Sequence, residues 1–354
     1  MRPPTTPRAV RSGRFIPHQA RSTALTLTAA TALLVSAGVA QASPAPASVD
    51  LADASNVGVL VTEEIAADLP ASAGGATAEE VLADAVVEDV LTEHGTGLKT
   101  LDAQDREVRV DVREAEGAAA FGVAIVTAAE GAEDSPNAWL FTADHAGGEW
   151  AVGLEGTPEF AELLAESELM DAEERDTIAT STDPDRVSPN QATGVGLPFE
   201  IGTSMTMTSG PHGWGSEPPL SSVDFAGGAG TAHAARGGYA YSLCDGWTRV
   251  IHDNGYSTDY YHLEDYQWLD GDVETGSYLG TQGNSLCAGG STTGPHIHFG
   301  LRAYDDPNGA GWYVGLNGLE LGGWTFVEGA AYGGYAHRDG AEVHPGGSMH
   351  NYGF

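Results

Sequence analysis

The chain has 354 residues, of which 50 are acidic and 15 basic, for a formal net charge of −35. That balance argues against a nucleic-acid partner, because phosphate binding needs a basic footprint. Two cysteines, Cys244 and Cys287, are too few and too far apart in sequence for a cysteine-built metal site.

Five arginines, Arg2, Arg8, Arg11, Arg14 and Arg21, precede an apolar run over residues 24–40 that ends in Ala40-Gln41-Ala42. A charged region, an apolar core and a small-x-small cleavage site predict a secretory signal peptide over residues 1–42. Thr26, Thr28, Thr31 and Ser36 dilute the run, which falls short of the roughly 20 strongly apolar residues a membrane span needs. No second long apolar run follows. The mature protein is therefore expected to be secreted, with no membrane contact once the leader is removed. Two cysteines in an exported chain predict one disulfide.

Residues 43–190 carry 33 acidic and 6 basic side chains, against 17 and 4 in residues 191–354. Thr77 with Glu80 three residues on has the form of a capping box, predicting a helix from there through Leu91. Strand-like segments follow at Glu107–Val112, Phe121–Thr127, Ala138–Phe141 and Trp150–Leu154. Thr157-Pro158 opens a second helix, with threonine as cap and proline at the first helical position. Residues 43–190 are thus expected to form an α+β unit with its own small core. A linker is expected at Ser181–Gly194, rich in Ser, Thr, Asp, Pro and Asn, with Arg186 as a proteolytic nick site.

From Leu197 onward the chain becomes rich in glycine and aromatics and holds nine of the twelve histidines. Thr203–Thr208 and Ser222–Phe225 read as strands. Trp247–His252 and Tyr256–Leu263 alternate around Asp253-Asn254-Gly255, a strong hairpin signal. Residues 191–354 are expected to be a mostly antiparallel β domain. Within Gly294-Pro295-His296-Ile297-His298-Phe299-Gly300-Leu301-Arg302, an extended strand places His296, His298 and Gly300 on one face. Ile297, Phe299 and Leu301 take the other, the face a sheet buries. Two imidazoles roughly 6–7 Å apart at the backbone suit one histidine binding a metal and the other acting on what the metal holds. A zinc hydrolase offers three protein ligands and leaves a fourth position open. Candidates for the remaining ligands are His212 before a Gly-rich turn and Asp224, polar within an apolar strand. Neither a His-Glu-x-x-His helix nor a Gly-x-Ser-x-Gly elbow is present.

Four motifs, in this order and spacing, carry a resemblance: Gly-Pro-His at 210–212, Ser-Ser-Val-Asp at 221–224, Asp-Tyr-Tyr-His-Leu at 259–263, and Cys-Ala-Gly-Gly-Ser-Thr-Thr-Gly-Pro-His-Ile-His-Phe at 287–299. Residues 197–335 resemble the lysostaphin-type zinc metallopeptidases, on the branch of beta-lytic endopeptidase and staphylolysin. The resemblance implies a lysostaphin-like β fold and one Zn2+ per catalytic domain, held by His212, Asp224 and His298. It implies His262 and His296 as the catalytic pair, Tyr332 as a further hydrogen-bond donor, and Cys244–Cys287 as the disulfide. It implies hydrolysis of peptide bonds beside glycine or alanine in bacterial peptidoglycan peptides, with lysis of cell walls, and for some members of Gly-rich proteins. It also implies a zymogen, residues 43–190 being a propeptide that covers the cleft in cis until it is removed. A second cysteine pair near the C-terminus of staphylolysin has no counterpart here. The rival readings are a non-catalytic wall-binding or regulatory homologue and, for residues 43–190, a permanent accessory module.

Overall fold

The computed structural model describes residues 57–354 except 62, 71–75, 95–106, 130, 132–135, 186–190, 215–217 and 306–311. The expected leader at 1–42, the start of the expected propeptide and part of the linker lie outside the described residues. The N-terminal region comprises β1 (Val57–Leu60), α1 (Glu63–Asp68), α2 (Ala78–His94), β2 (Val108–Glu116), β3 (Ala119–Val126), β4 (Asn137–Ala146), β5 (Glu149–Leu154), α3 (Pro158–Glu166) and α4 (Ala172–Ser181). The capping box closes: Thr77 N donates to Glu80 Oε2 at 2.8 Å, and Glu80 N to Thr77 Oγ1 at 3.4 Å. Thr157 caps α3 through Phe160 N, and Asp171 caps α4 through Glu173 N and Glu174 N.

The five strands form one sheet in sequence order, antiparallel apart from the β1–β2 pair. Their alternation divides the side chains between two cores. Val110, Ala124, Trp139 and Phe141 pack with Leu82, Val86 and Val90 of α2. Phe121, Val123, Ile125 and Leu140 point the other way, where Phe160 and Leu164 of α3 and Ile178 of α4 close that face only in part.

The C-terminal region runs through β6 (Ala192–Val195), β7 (Ser204–His212), β8 (Ser222–Ala226), β9 (Thr231–His233), β10 (Gly238–Cys244), β11 (Trp247–Ile251), β12 (Tyr256–Tyr261), β13 (Asp270–Val273) and β14 (Tyr278–Thr281). It continues with β15 (Ile297–Ala303), β16 (Trp312–Tyr313), β17 (Glu320–Leu321), β18 (Trp324–Val327), β19 (Tyr335–Arg338), β20 (Ala341–Val343) and β21 (Ser348–His350). Nine strands make the principal sheet, in the order β13-β10-β11-β12-β15-β8-β7-β21 with β16 beside β15, and all its pairings are antiparallel. The expected hairpin forms with a three-residue loop: His252 N bonds Tyr256 O, and Gly255 at φ +80° takes the left-handed position. Val223, Phe225, Val250, Tyr260, Ile297, Phe299 and Leu301 fill the core beneath this sheet. Cys244 at the end of β10 is disulfide-bonded to Cys287, ahead of β15. Closing a loop across 43 residues is worth about 4 kcal/mol in the chain-entropy model.

The opposite face of the nine-stranded sheet carries Tyr241, Trp247, Arg249, Asp259, Tyr261 and Arg302, all buried. The open face of the N-terminal sheet covers them, so that Phe121, Val123, Ile125 and Leu140 share a core with Tyr241, Trp247, Tyr261 and Tyr304. Polar groups lock the contact. Arg249 Nη1 meets Glu155 Oε2 at 2.6 Å, with both side chains fully buried. Tyr304 and Leu140 N also donate to the Glu155 carboxylate. Burial alone would raise the Glu155 carboxyl, but the guanidinium charges of Arg249 and Arg302 overcome it and hold it below its ordinary value. Arg113 reaches Asp270 at 2.7 Å, and Tyr241 donates to Glu174 at 2.7 Å.

Neutralising one partner of a fully buried pair leaves the other charge uncompensated, which costs about 3–5 kcal/mol when the partner is deleted. Glu155→Gln keeps the shape and some hydrogen bonds, so urea unfolding of the full chain should show a loss of about 2–3 kcal/mol. An unchanged unfolding midpoint would mean that the pair does not hold the two regions together.

Candidate metal centre and cleft

Strand register builds the site. In β15, His298 stands opposite Asp224 of β8 on one side and Tyr261 of β12 on the other. Register shifts in β7 carry its end forward, so that His212 lies across from Ser222 and its ring reaches the same row. His296 precedes β15 and is fixed by a two-way bridge with Gly283. His262 follows β12 at φ +67°, and Tyr332 sits at φ +68°. A non-glycine residue held in the left-handed region costs about 1–3 kcal/mol, and such strain gathers at functional sites. Both of these residues face the cleft.

His212 Nε2, Asp224 Oδ1 and His298 Nδ1 form a triangle with sides of 3.3, 3.1 and 3.3 Å. A tetrahedral metal with bonds of 2.0–2.1 Å sets its ligand atoms about 3.3–3.4 Å apart, so the triangle has the dimensions of one coordination face. All three side chains are buried. His212 Nδ1 donates to Gly210 O at 2.8 Å, which in the neutral ring leaves the Nε2 lone pair aimed at a carboxylate oxygen. Only a cation between them, proton or metal, makes that contact favourable. Burial would lower His212, yet the Asp224 charge dominates and raises it. Burial would likewise raise Asp224, but His212 and His298 hold it well below the carboxylate range. His298 is lowered, chiefly by burial. Its Nε2 is buried with no hydrogen-bond partner among the described residues, and the Trp214 ring packs on it at 4.6 Å. Two imidazoles and one carboxylate are a donor set suited to zinc, and these residues fit such an ion.

The expected catalytic histidines flank the triangle. His262 Nδ1 donates to Ser285 O at 2.8 Å and His296 Nδ1 to Gly294 O at 2.7 Å, so Nε2 is the remaining nitrogen of each ring. Their rings lie 4.7 Å apart, and His296 Nε2 is 3.4 Å from Asp224 Oδ1. Burial, then the neighbouring His298 and His296, push His262 down to about 3. Tyr332 is half-exposed and stacks on His212 at 4.5 Å, its backbone tied to Gly210 and Pro211.

A cavity of about 300 Å3 gathers all six expected residues, with Ser209, Trp214, Tyr261, Gly290, Ser291, Thr292 and Thr293 completing its C-terminal lining. Pro136, from the connection between β3 and β4, also lines it. That same connection lies along the cleft wall: Ala128 N donates to Ala288 O, Gly290 N to Ala129 O, and Gly131 N to Gly290 O. Gly289 has φ +84°, and a Cβ there would collide with Ala128 O. The wall is itself anchored by Tyr261, whose hydroxyl donates to Gly289 O and accepts from Ala288 N. Sequence reasoning passed over Trp214, although it follows His212 by two residues, and had no signal for Pro136.

No family model matches the chain. Over 138 residues it is 34% identical to Protease LasA of Pseudomonas aeruginosa, covering 36% of this chain and 32% of that protein. Over 146 residues it is 32% identical to the beta-lytic metalloendopeptidase of Lysobacter enzymogenes, covering 37% of this chain and 78% of that protein. The chain belongs to that family, the lysostaphin-type metallopeptidases. Its match spans about a third of LasA, and 39% of a second beta-lytic metalloendopeptidase, from Achromobacter lyticus. The solved metalloprotease pseudoalterin is 30% identical with a TM-score of 0.40, covering 44% of this chain and 97% of that one. Relatives in that family carry the name metalloendopeptidase, and the His-Asp-His triangle is the candidate metal site of this chain. Among the described residues no helix is long and apolar enough to cross a membrane.

With His212 raised above its ordinary value by Asp224, a metal ion bound here would compete with protonation of that ring, so uptake should release protons at mildly acidic pH and affinity should climb as pH rises. Calorimetry in buffers of different ionisation enthalpy measures this. Asp224→Asn, checked for folding by near-ultraviolet circular dichroism, should lower zinc affinity at least 100-fold, by roughly the 3 kcal/mol that a charge-assisted ligand supplies. Unaltered affinity in this variant would remove Asp224 from the ligand set.

Proposed function

We propose that the chain is the secreted zymogen of a zinc metalloendopeptidase that cuts peptide bonds beside glycine or alanine in bacterial peptidoglycan. The observation that carries this reading is the triangle of His212 Nε2, Asp224 Oδ1 and His298 Nδ1 with two further histidines at its edge. These three side chains would hold one zinc ion. Such an ion supplies Lewis-acid polarisation of the scissile carbonyl and an acidified water.

The chain's own residues supply the rest. With Nδ1 of His262 and His296 each fixed on a carbonyl, the two Nε2 atoms are oriented for proton transfer. One takes the proton of the attacking water. The other, once protonated, hydrogen-bonds the developing oxyanion or delivers a proton to the leaving amine. The Tyr332 hydroxyl would donate a further bond to that oxyanion, a role supported by its place in the cavity lining and its stacking on His212. The wall at Ala288–Gly290 offers backbone donors and acceptors to an extended peptide, the strand-addition mode of recognition.

Several contacts support latency. Ala128, Ala129 and Gly131 occupy hydrogen-bonding positions of the wall, and Pro136 lines the cavity beside the ligands. The sequence of that stretch, Ala-Ala-Glu-Gly-Ala at 128–132, has the small residues expected of a substrate. Residues 43–190 would thus be a propeptide in cis, removed through the 181–194 linker. The leader-like residues 1–42 and the Cys244–Cys287 disulfide fit export.

Zinc-loaded full-length protein, uncut or cut at a site introduced within residues 186–190, is incubated with purified peptidoglycan and with a pentaglycine peptide. Mass spectrometry should find new peptide termini after cutting, at least about tenfold faster than before it, and none with chelator. His296→Ala should lower the rate about 100- to 10,000-fold while zinc content stays the same. Intact substrate with folded, zinc-loaded, cut protein would point to the non-catalytic wall-binding reading. Equal rates before and after cutting would remove the zymogen.

A further inference from the structure

Residues 191–354 contain four cations, Arg236, Arg249, Arg302 and Arg338, against 17 carboxylates. Two of the four, Arg249 and Arg302, lie fully buried on the sheet face that carries the metal ligands. Arg302 is on the same face of β15 as His298, four residues and about 13 Å further along the strand. Trp214 and Tyr313 link the two positions, with ring centroids 4.6 Å from Trp214 to His298 and 5.1 Å from Trp214 to Tyr313.

The C-terminal region satisfies these two guanidinium groups only in part. Asp259 grips Arg249 from the floor, Oδ1 to Nε at 2.7 Å and Oδ2 to Nη2 at 2.8 Å, so that Nη1 is left directed away from it. Nη1 meets Glu155 Oε2 at 2.6 Å and Ala138 O at 3.0 Å, and Arg302 Nη1 meets the same Ala138 carbonyl at 3.1 Å. Arg302 Nε and Nη2 are buried without a hydrogen-bond partner among the described residues, the Tyr313 ring lying beneath the guanidinium at 5.2 Å. Glu155 and Ala138 both belong to the N-terminal region. Without it the floor would hold two guanidinium groups for one carboxylate, with several donors left open.

A carboxylate beside a peptide carbonyl is how a peptide bearing an acidic group presents itself. The geometry points to Arg249 Nη1 and Arg302 as a carboxylate subsite of the substrate groove, occupied by Glu155 and Ala138 O in the uncut chain and by an acidic group of the peptide substrate after cutting. This rests on the zymogen reading above. The carboxylate would sit within about four residues of the scissile bond, the span of extended peptide that covers 13 Å. It is either a free C-terminus or an acidic side chain.

The test uses full-length protein folded intact, cut within residues 186–190, freed of its N-terminal fragment and stripped of metal, so that binding is read without hydrolysis. Calorimetry compares acetyl-Gly-Gly-Gly-Ala acid with its amide, and acetyl-Gly-Glu-Gly-Ala-amide with its Gln counterpart. The first pair reports a terminal carboxylate, the second a side-chain one. At least one acid should bind about ten- to a hundredfold more tightly than its neutral partner, as expected for charge-assisted bonds in a partly enclosed site. Arg302→Gln should bring that ratio to within about twofold, and Arg302→Lys should retain part of it. Equal binding within both pairs in the wild type, or a ratio untouched by Arg302→Gln, would overturn the subsite. A second readout needs no variant: the favoured acid, and not its neutral partner, should weaken re-association of the cut fragments at least tenfold. Failure of that competition also counts against the proposal. Failure of the peptidase reading is separate, appearing as no new termini with metal-loaded cut protein.

Discussion

One oxygen organises this molecule. Asp224 Oδ1 lies within 3.1–3.4 Å of nitrogens from three histidines, His212, His296 and His298, in a buried setting. Such an arrangement is costly unless a cation balances it, because a carboxylate and imidazole lone pairs repel at that range. Every feature around it serves to hold the four groups together. Strand order in the sheet sets Tyr261, His298 and Asp224 in one row, and the irregularities of β7 bring His212 into it. The carbonyls of Gly210, Ser285 and Gly294 fix three ring orientations. Left-handed backbone at His262 and Tyr332 is strain that this packing sustains.

The second constraint follows from the two faces of the same sheet. Ile297, Phe299 and Leu301 must face the core, so His298 and Arg302 must face away from it. The outward face of the strand that carries the candidate ligand His298 is therefore polar and aromatic. It is the face on which the N-terminal sheet lies, with Glu155 against Arg249 and the β3–β4 connection beside the cleft. Covering such a surface and running along the cleft wall go together, which is the observation behind the proposed latency.

Local patterns were legible in the sequence. The capping box at Thr77–Glu80, the Thr157-Pro158 helix start and the alternation at 296–302 each depend on residues within one turn or one strand, and each formed. The hairpin at 253–255 was also visible, though its loop has three residues because Gly255 takes the left-handed position alone. Other features were not. Helix α4 carries its apolar contacts at Ile178 and Ala179 within an acidic stretch, so its pattern was weak and the linker was read as beginning at Ser181, where the helix ends. The second face of the N-terminal sheet looks from its sequence like part of a self-contained core, whereas it shares that core both with α3 and α4 and with Tyr241, Trp247, Tyr261 and Tyr304 of the C-terminal region. Glu155 and Arg249 are 94 residues apart, and no periodicity connects them. One clue to the floor was available: the Asn254-Gly255 turn places Arg249 opposite Asp259, an ion pair within otherwise apolar strands.

Of the six expected site residues, five came from motifs that share one sheet face or its borders. Tyr332 lies on a distant loop, and only the resemblance pointed to it. The structure brings all six into one cavity, so their shared location stands apart from the roles assigned to them. The most direct test of the account is anomalous diffraction at the zinc absorption edge from crystals of zinc-loaded full-length protein. A single strong peak should lie about 2.0–2.1 Å from His212 Nε2, Asp224 Oδ1 and His298 Nδ1 together. A peak at other ligands, or none at this triangle in a protein that carries zinc, would contradict it.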